Sequence, residues 1–295
     1  MSDYVLSCCS PVDLTPEWLD RRDVHYIYFN FQLGSTPMKD DFGVTVPPAE
    51  LYRRMLAGED AKTSQVSIGD YIEFFSKFLA EGKDVIHATL SSGISGTYES
   101  AVAAAAQLAP KYPDQKLTII DSMAASAGYG LFVETLADLR DEGMEYDELV
   151  AWARSHRKEL QHWFFSTDLK FFVRGGRVSK AAGLIGGALN ICPLLNVDYE
   201  GKLAVREKIR TKRRAIEASL AKMEKHAQDG LAYSGKCFIS NSECREDAQA
   251  LADLIEERFP HLNGKVELFN IGSTIGCHTG PGTVALFFWG DERVD

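Results

Sequence analysis

The residues of this 295-residue chain that offer the most chemistry are clustered hydroxyls. In "HATLSSGISGTYESAVAAAA", His87 to Ala106, an apolar run passes through Ser91, Ser92, Gly93, Ser95, Gly96 and Thr97 into an alanine-rich stretch. That order predicts strand, turn and helix, with the hydroxyls at a helix N-terminus, where unpaired amides and the positive dipole end favour an anion. A purely structural reading competes: Ser95 or Thr97 caps the helix and the glycines set the turn. No base accompanies these hydroxyls, so they suit holding an acid group better than attacking a carbonyl.

Two more polar turns have the same character. "KTSQVS" offers Thr63, Ser64, Gln65 and Ser67 beside Lys62, and "DSMAASAGYG" sets Asp121 to orient Ser122 or a neighbouring amide, with Gly128 and Gly130 allowing close helix packing. Together the three turns describe one wet crevice mouth. Near the C-terminus, "NIGSTIGCHTGPGTVALFF" places Gly276, His278, Gly280 and Gly282 in a loop before a final strand. Such a backbone can approach a ligand closely, and His278 is suited to donate to an anion or move a proton near neutral pH, an ordinary core histidine being the alternative. Arg174 and Arg177 bracket Gly175-Gly176, while Lys208 and Arg210 share one face of a predicted strand. These arginines fit bidentate pairing with phosphate or carboxylate, or else form a solvated face.

Other chemistries are not signalled. There is no G-x-G-x-x-G, Walker or G-x-S-x-G motif, and no zinc or calcium spacing, so no intrinsic cofactor or metal is expected. The six cysteines, at 8, 9, 192, 237, 244 and 277, form no C-x-x-C pair and read as free thiols. Cys8 and Cys9 end the first predicted strand, so one should face the crevice and the other the core. An autonomous hydrolase using Cys9 or Ser95 lacks a visible oriented base.

These side chains require a scaffold. "YVLSCC", "VHYIYFNFQL", "DVIHATL" and "KLTIID" read as strands, alternating with helical segments such as "IGDYIEFFSKFLAEG", whose Tyr71, Phe74, Phe75, Phe78 and Leu79 form an apolar stripe. Thr15 before Pro16 and Pro47-Pro48 mark helix starts. The alternation predicts a parallel sheet flanked by helices. After about residue 158 the pattern changes to a hairpin at Tyr199-Glu200-Gly201-Lys202, two helices and several strands, predicting an α+β domain with a largely antiparallel sheet. A short helix is expected at "DLKFFVRG".

Forty-two acidic against 32 basic residues give a net charge of -10, which argues against a general nucleic-acid binder. The N-terminus lacks a signal-peptide pattern and no run reaches the roughly 18 apolar residues of a membrane span, so a cytoplasmic protein without an integral membrane segment is expected.

Taken in order, "TSQVS", "LSSGISGTYESA", "IIDSMAASAGYG", "VRGGRVSKAAGLIG", "KIRTKRRA" and "IGSTIGCHTGPGTVALFF" resemble the motifs of the DegV family, whose members include the fatty-acid-binding subunits of bacterial fatty acid kinase. The resemblance implies an α/β, DegV-like two-domain fold: a parallel α/β N-terminal domain over 1–158, an α+β C-terminal domain over 159–295, and a lipid site between them. It implies a non-enzymatic binding protein holding a long-chain fatty acid, with the carboxylate on Thr63 and Ser95, beside Ser64, Ser92, Gly96 and His278. It also implies an ATP-dependent kinase partner that phosphorylates the bound acid to an acyl phosphate, with Arg174, Arg177 and Arg210 on the partner or phosphoryl-transfer surface. Departures from the family pattern are Cys8-Cys9 at the end of the first strand, "MKDDFGVTV" in place of the common D-G after strand two, and Val66 in place of proline. A carrier or sensor of another apolar carboxylate or lipid is the alternative. An alkyl chain in a dry tunnel gains about 0.8 kcal/mol per buried CH₂. Candidate lining residues are Ile94, Phe165, Phe172, Leu184, Ile185, Leu189 and Leu286.

Overall fold

A computed structural model of the chain describes residues 4–179 and 191–294. Leu184, Ile185 and Leu189 lie outside the described residues.

The first half is built on four parallel strands, β1 (Tyr4–Cys9), β2 (Val24–Ile27), β6 (Asp84–Thr89) and β7 (Leu117–Asp121), in the order β2-β1-β6-β7. Between them run α1 (Pro16–Arg21), α2 (Pro48–Leu56), α3 (Ile68–Leu79) and α4 (Thr97–Leu108), followed by α5 (Ser126–Asp141) and α6 (Tyr146–His156). Thr15 caps α1 by accepting from the Trp18 amide. Tyr71, Phe75 and Leu79 are the fully buried members of the α3 stripe, with Phe74 and Phe78 packed at its margin. Central β1 and β6 are covered on both faces, and their buried polar members Ser7 and His87 pair with each other at 2.9 Å.

From Leu160 onward the chain forms a six-stranded sheet in the order β10-β9-β8-β13-β11-β12. Its members are β8 (Leu160–Ser166), β9 (Ile191–Val197), β10 (Leu203–Arg210), β11 (Cys237–Asn241), β12 (Glu267–Asn270) and β13 (Thr283–Trp289). All neighbours are antiparallel except β11 and β12. One face packs on α8 (Lys212–His226) and α9 (Arg245–Arg258) through Trp163, Phe165, Ile239, Leu286 and Phe288. The other presents Phe164, Ala285 and Phe287 to the first half. The short helix expected after β8 is α7 (Lys170–Arg174).

Three local expectations need correction. The run 24–33 is not one strand: it divides into β2 and β3 (Asn30–Leu33), and β3 leaves the parallel sheet to pair with β4 (Thr36–Lys39) and β5 (Ala61–Ser64) in a separate antiparallel sheet. Thr63 therefore sits on a strand instead of in a turn. The glycine-rich segment around His278 is not a loop but a helix, α10 (Ser273–Thr279), with the positive φ values confined to Gly280 and Gly282 beyond its end.

Candidate functional site

A cavity of about 380 Å³ lies where the helix starts after β6 and β7 meet the inner face of the six-stranded sheet. Its walls are mostly apolar: Phe29, Leu90, Ile94, Phe164, Phe172, Val197, Leu203, Ile271, Ile275, Ala285 and Phe287. The polar lining comprises Thr63, Ser64, Gln65, Ser95, Ser126, His162, Arg177, Thr274, His278, Thr279 and Thr283. No Asp or Glu is among the described lining residues.

The head of the cavity is assembled from four separate elements. β5 brings Thr63, α10 brings His278, the turn before α4 brings Ser95 and Gly96, and the segment after α7 brings Arg177. Thr63 Oγ1 and His278 Nε2 are 2.7 Å apart. Nδ1 of His278 is buried without a hydrogen-bond partner among the described residues. Burial, with Arg177 nearby adding to it, pushes the His278 pKa down to about 3, so the ring is neutral at physiological pH and not the neutral-pH proton shuttle expected from sequence. Ser95 Oγ accepts from the Thr97 amide at 3.3 Å, leaving its hydroxyl hydrogen available to a ligand. Gly96 is the N-cap of α4. Gln65, read from sequence as one donor of the polar turn and not as a carboxylate ligand, donates to Ser100 Oγ at 2.7 Å and braces this corner.

Arg177 donates to the carbonyls of Ile94 and Gly175 at 3.2 and 2.5 Å. No carboxylate of the described residues pairs with it, and burial lowers its pKa. A half-buried guanidinium facing a cavity without acids attracts an anion. A second cavity of about 270 Å³ shares Thr63, Arg177 and His278 with the first and is bordered by Glu59, Asp60, Lys62 and Arg174. Arg174 lies there in an ion pair with Asp60, not in the main cavity.

Several expected residues stand elsewhere. Ser92 is not among the lining residues: its hydroxyl and amide donate to Asp121, at 2.6 and 3.1 Å. Arg210, expected on a partner surface and not in the cavity, ends the edge strand β10 and is exposed. Phe165 and Leu286 point to the α8–α9 side of the sheet, and their strand neighbours Phe164, Ala285 and Phe287 form the wall instead. Ile94 and Phe172 do line it. Neither Cys8 nor Cys9 faces the cavity: both are fully buried, with Cys9 Sγ 3.2 Å from Tyr71 Oη and 3.5 Å from His87 Nε2. Burial raises the Cys9 thiol to about 11 and lowers His87 to about 3, which opposes a thiolate–imidazolium pair. Among the described residues no group of three or more His, Cys, Asp or Glu is placed to hold a metal, and no helix is long and apolar enough to cross a membrane.

Residues 10–291 match a family model described as "Uncharacterised protein, DegV family". A DegV domain-containing protein of Clostridium perfringens is 32% identical over 293 residues, covering 99% of both chains. Among solved structures, a DegV family protein from Thermus thermophilus, described for its fatty acid binding, superposes with a TM-score of 0.84 at 25% identity, covering 98% of this chain and 100% of that one. The Streptococcus pneumoniae Fatty Acid Kinase B3 protein, loaded with linoleic acid, has the same fold at a TM-score of 0.84 and 22% identity, with 99% and 100% covered.

Proposed function

Because this chain belongs to the DegV family, we propose that its 380 Å³ cavity binds a long-chain fatty acid, with the carboxylate at the Thr63–Ser95–His278–Arg177 end. The observation that carries this reading is the pairing of an apolar cavity free of described acidic residues with an unpaired, half-buried arginine and neutral donors at one end. Burial of the chain supplies affinity at about 0.8 kcal/mol per CH₂, less the ordering cost. The polar groups fix which end goes where, because a carboxylate in the apolar part would lose its hydration without compensation.

In the same reading the protein presents the carboxylate to an ATP-dependent kinase instead of transferring phosphate itself. The second cavity supports this, since it reaches the shared residues Thr63, Arg177 and His278 from another side and carries Lys62 and Arg174 at its rim. Exposed Arg210 belongs to the partner-facing surface in this scheme.

The Thr63→Ala/Ser95→Ala double variant should fold normally and retain fatty acid at least tenfold less well. Native mass spectrometry of wild type and variant, both loaded with palmitate, measures this. Equal occupancy would refute the assignment of the head group.

A further inference from the structure

α10 carries Thr274, Ile275, His278 and Thr279 into the cavity wall, yet its N-cap is Gly272, which has no side chain to cap it. The first amides are taken instead by two carboxylates from segments 259 and 234 residues away. Gly272 N donates to Asp13 Oδ1 at 2.9 Å and Thr274 N donates to Asp40 Oδ2 at 3.1 Å. Asp13 Oδ2 also accepts from Ser126 Oγ, which lies 2.9 Å from Ser240 Oγ on β11. Both acids are buried, 8% and 2% exposed, and no Lys, Arg or His of the described residues forms an ion pair with either. A methyl group on Gly272 would stand 2.7 Å from Asp13 Oδ1 and 3.8 Å from Asp40 Oδ1, so the glycine is what lets both acids close on one helix end.

We propose that Asp13 and Asp40 are positioning residues of the fatty-acid site: carrying one negative charge between them, they pin the start of α10 and thereby fix where His278 meets the carboxyl group. The inference rests on the fatty-acid reading of the cavity. One charge is stabilised by the amides at the helix start, whereas two like charges in a buried site repel and desolvate together.

Burial, with a contribution from Asp40, pushes Asp13 up to about 8, and burial raises Asp40 as well. The other titratable groups facing the pair are Tyr52 from α2, Cys277 from α10 and Asp41. Burial holds Tyr52 well above its usual range and Cys277 at about 12, so neither changes charge as Asp13 titrates. The folded-state value of Asp13 lies above its unfolded value of about 3.8, so its contribution to stability is present below pH 4 and is lost as pH rises towards 8.

Dissociation of cis-parinaric acid, followed by fluorescence from pH 6 to 9.5 in wild type, Asp13→Asn and Asp40→Asn, tests the proposal together with imidazole ¹⁵N shifts of His278 in the ligand-free proteins. The wild-type rate should rise several-fold through about pH 8 and the His278 shift should move with the same midpoint, while both variants give flat profiles. A flat wild-type profile, or an unchanged inflection in the variants, overturns it. Should either variant not fold, a wild-type His278 resonance that does not move near pH 8 is sufficient to overturn it. Failure of the wild type to bind parinaric acid at any pH counts against the fatty-acid reading instead, and the ligand-free shifts still decide the role of the two acids.

Discussion

Arg177 is the residue on which the chemistry of the site turns, because it is the one cation lining the main cavity among the described residues and has no acid beside it. Replacing it with methionine keeps an unbranched apolar stem and removes the charge and the donors. A hydrogen bond to a charged group contributes about 1.5–3 kcal/mol, so Arg177→Met should weaken fatty-acid binding roughly ten- to hundredfold while leaving the melting temperature nearly unchanged. Titration calorimetry with palmitate measures the loss. Thr63, Ser95, Gly96 and His278, which line the cavity, were legible through the resemblance of their segments to DegV motifs, because by local pattern alone the hydroxyls serve equally well as helix caps and turn residues. The neutrality of His278 was not legible, since it comes from burial and from Arg177, which is more than a hundred positions away in the chain. Ser92 was misassigned for a related reason: the sequence displays a hydroxyl but not Asp121, which takes it.

At the level of the element, what escaped was phase. β8 and β13 are buried on both faces, so apolar residues occupy consecutive positions, and the adjacent polar Gln161 and His162 of β8 fall on opposite faces and mark neither as the ligand side. The pair Phe164-Phe165 shows the result: Phe164 lines the cavity and Phe165 packs against α8 and α9. Truncating either to alanine should cost about 3–5 kcal/mol, visible as a lowered denaturant midpoint. Only Phe164→Ala should also enlarge the cavity, shifting preference towards longer or bulkier acyl chains in a competition assay, whereas Phe165→Ala should leave chain preference unaltered. β5 escaped because "AKTS" has almost no strand character, and it is a strand only because β3 pairs with it. α10 was read as a loop since its glycines outweighed local propensity, and its remote carboxylate caps cannot be seen in sequence.

Across the whole molecule, the order of strands and helices announced two differently built halves, and the structure adds how they are fastened. The β9–β10 turn reaches the first half, where Ser91 Oγ donates to the Gly201 carbonyl at 2.8 Å. Gly93 lies so close that a methyl group there would meet the Gly201 backbone at 2.5 Å. Arg293 adds a buried junction, donating to carbonyls of Met123, Arg157, Lys158, Val197 and Asp198. Since Val197 and Leu203 flank that turn and also line the cavity, Gly93→Ala should lift the turn, accelerate hydrogen exchange over residues 198–202 and raise the fatty-acid off-rate about tenfold, overpacking of this kind costing about 1–3 kcal/mol. Mass spectrometry of deuterium uptake measures the first effect and stopped-flow the second. The thiols carry a final consequence: five are sealed and Cys244 alone is partly accessible. An uncharged alkylating reagent will therefore tag one site on the intact molecule and reach the rest as it comes apart. Because Cys8 and Cys9 mark the parallel sheet while Cys192 and Cys237 mark the other, the sequence of adducts in a time course reports which half surrenders first.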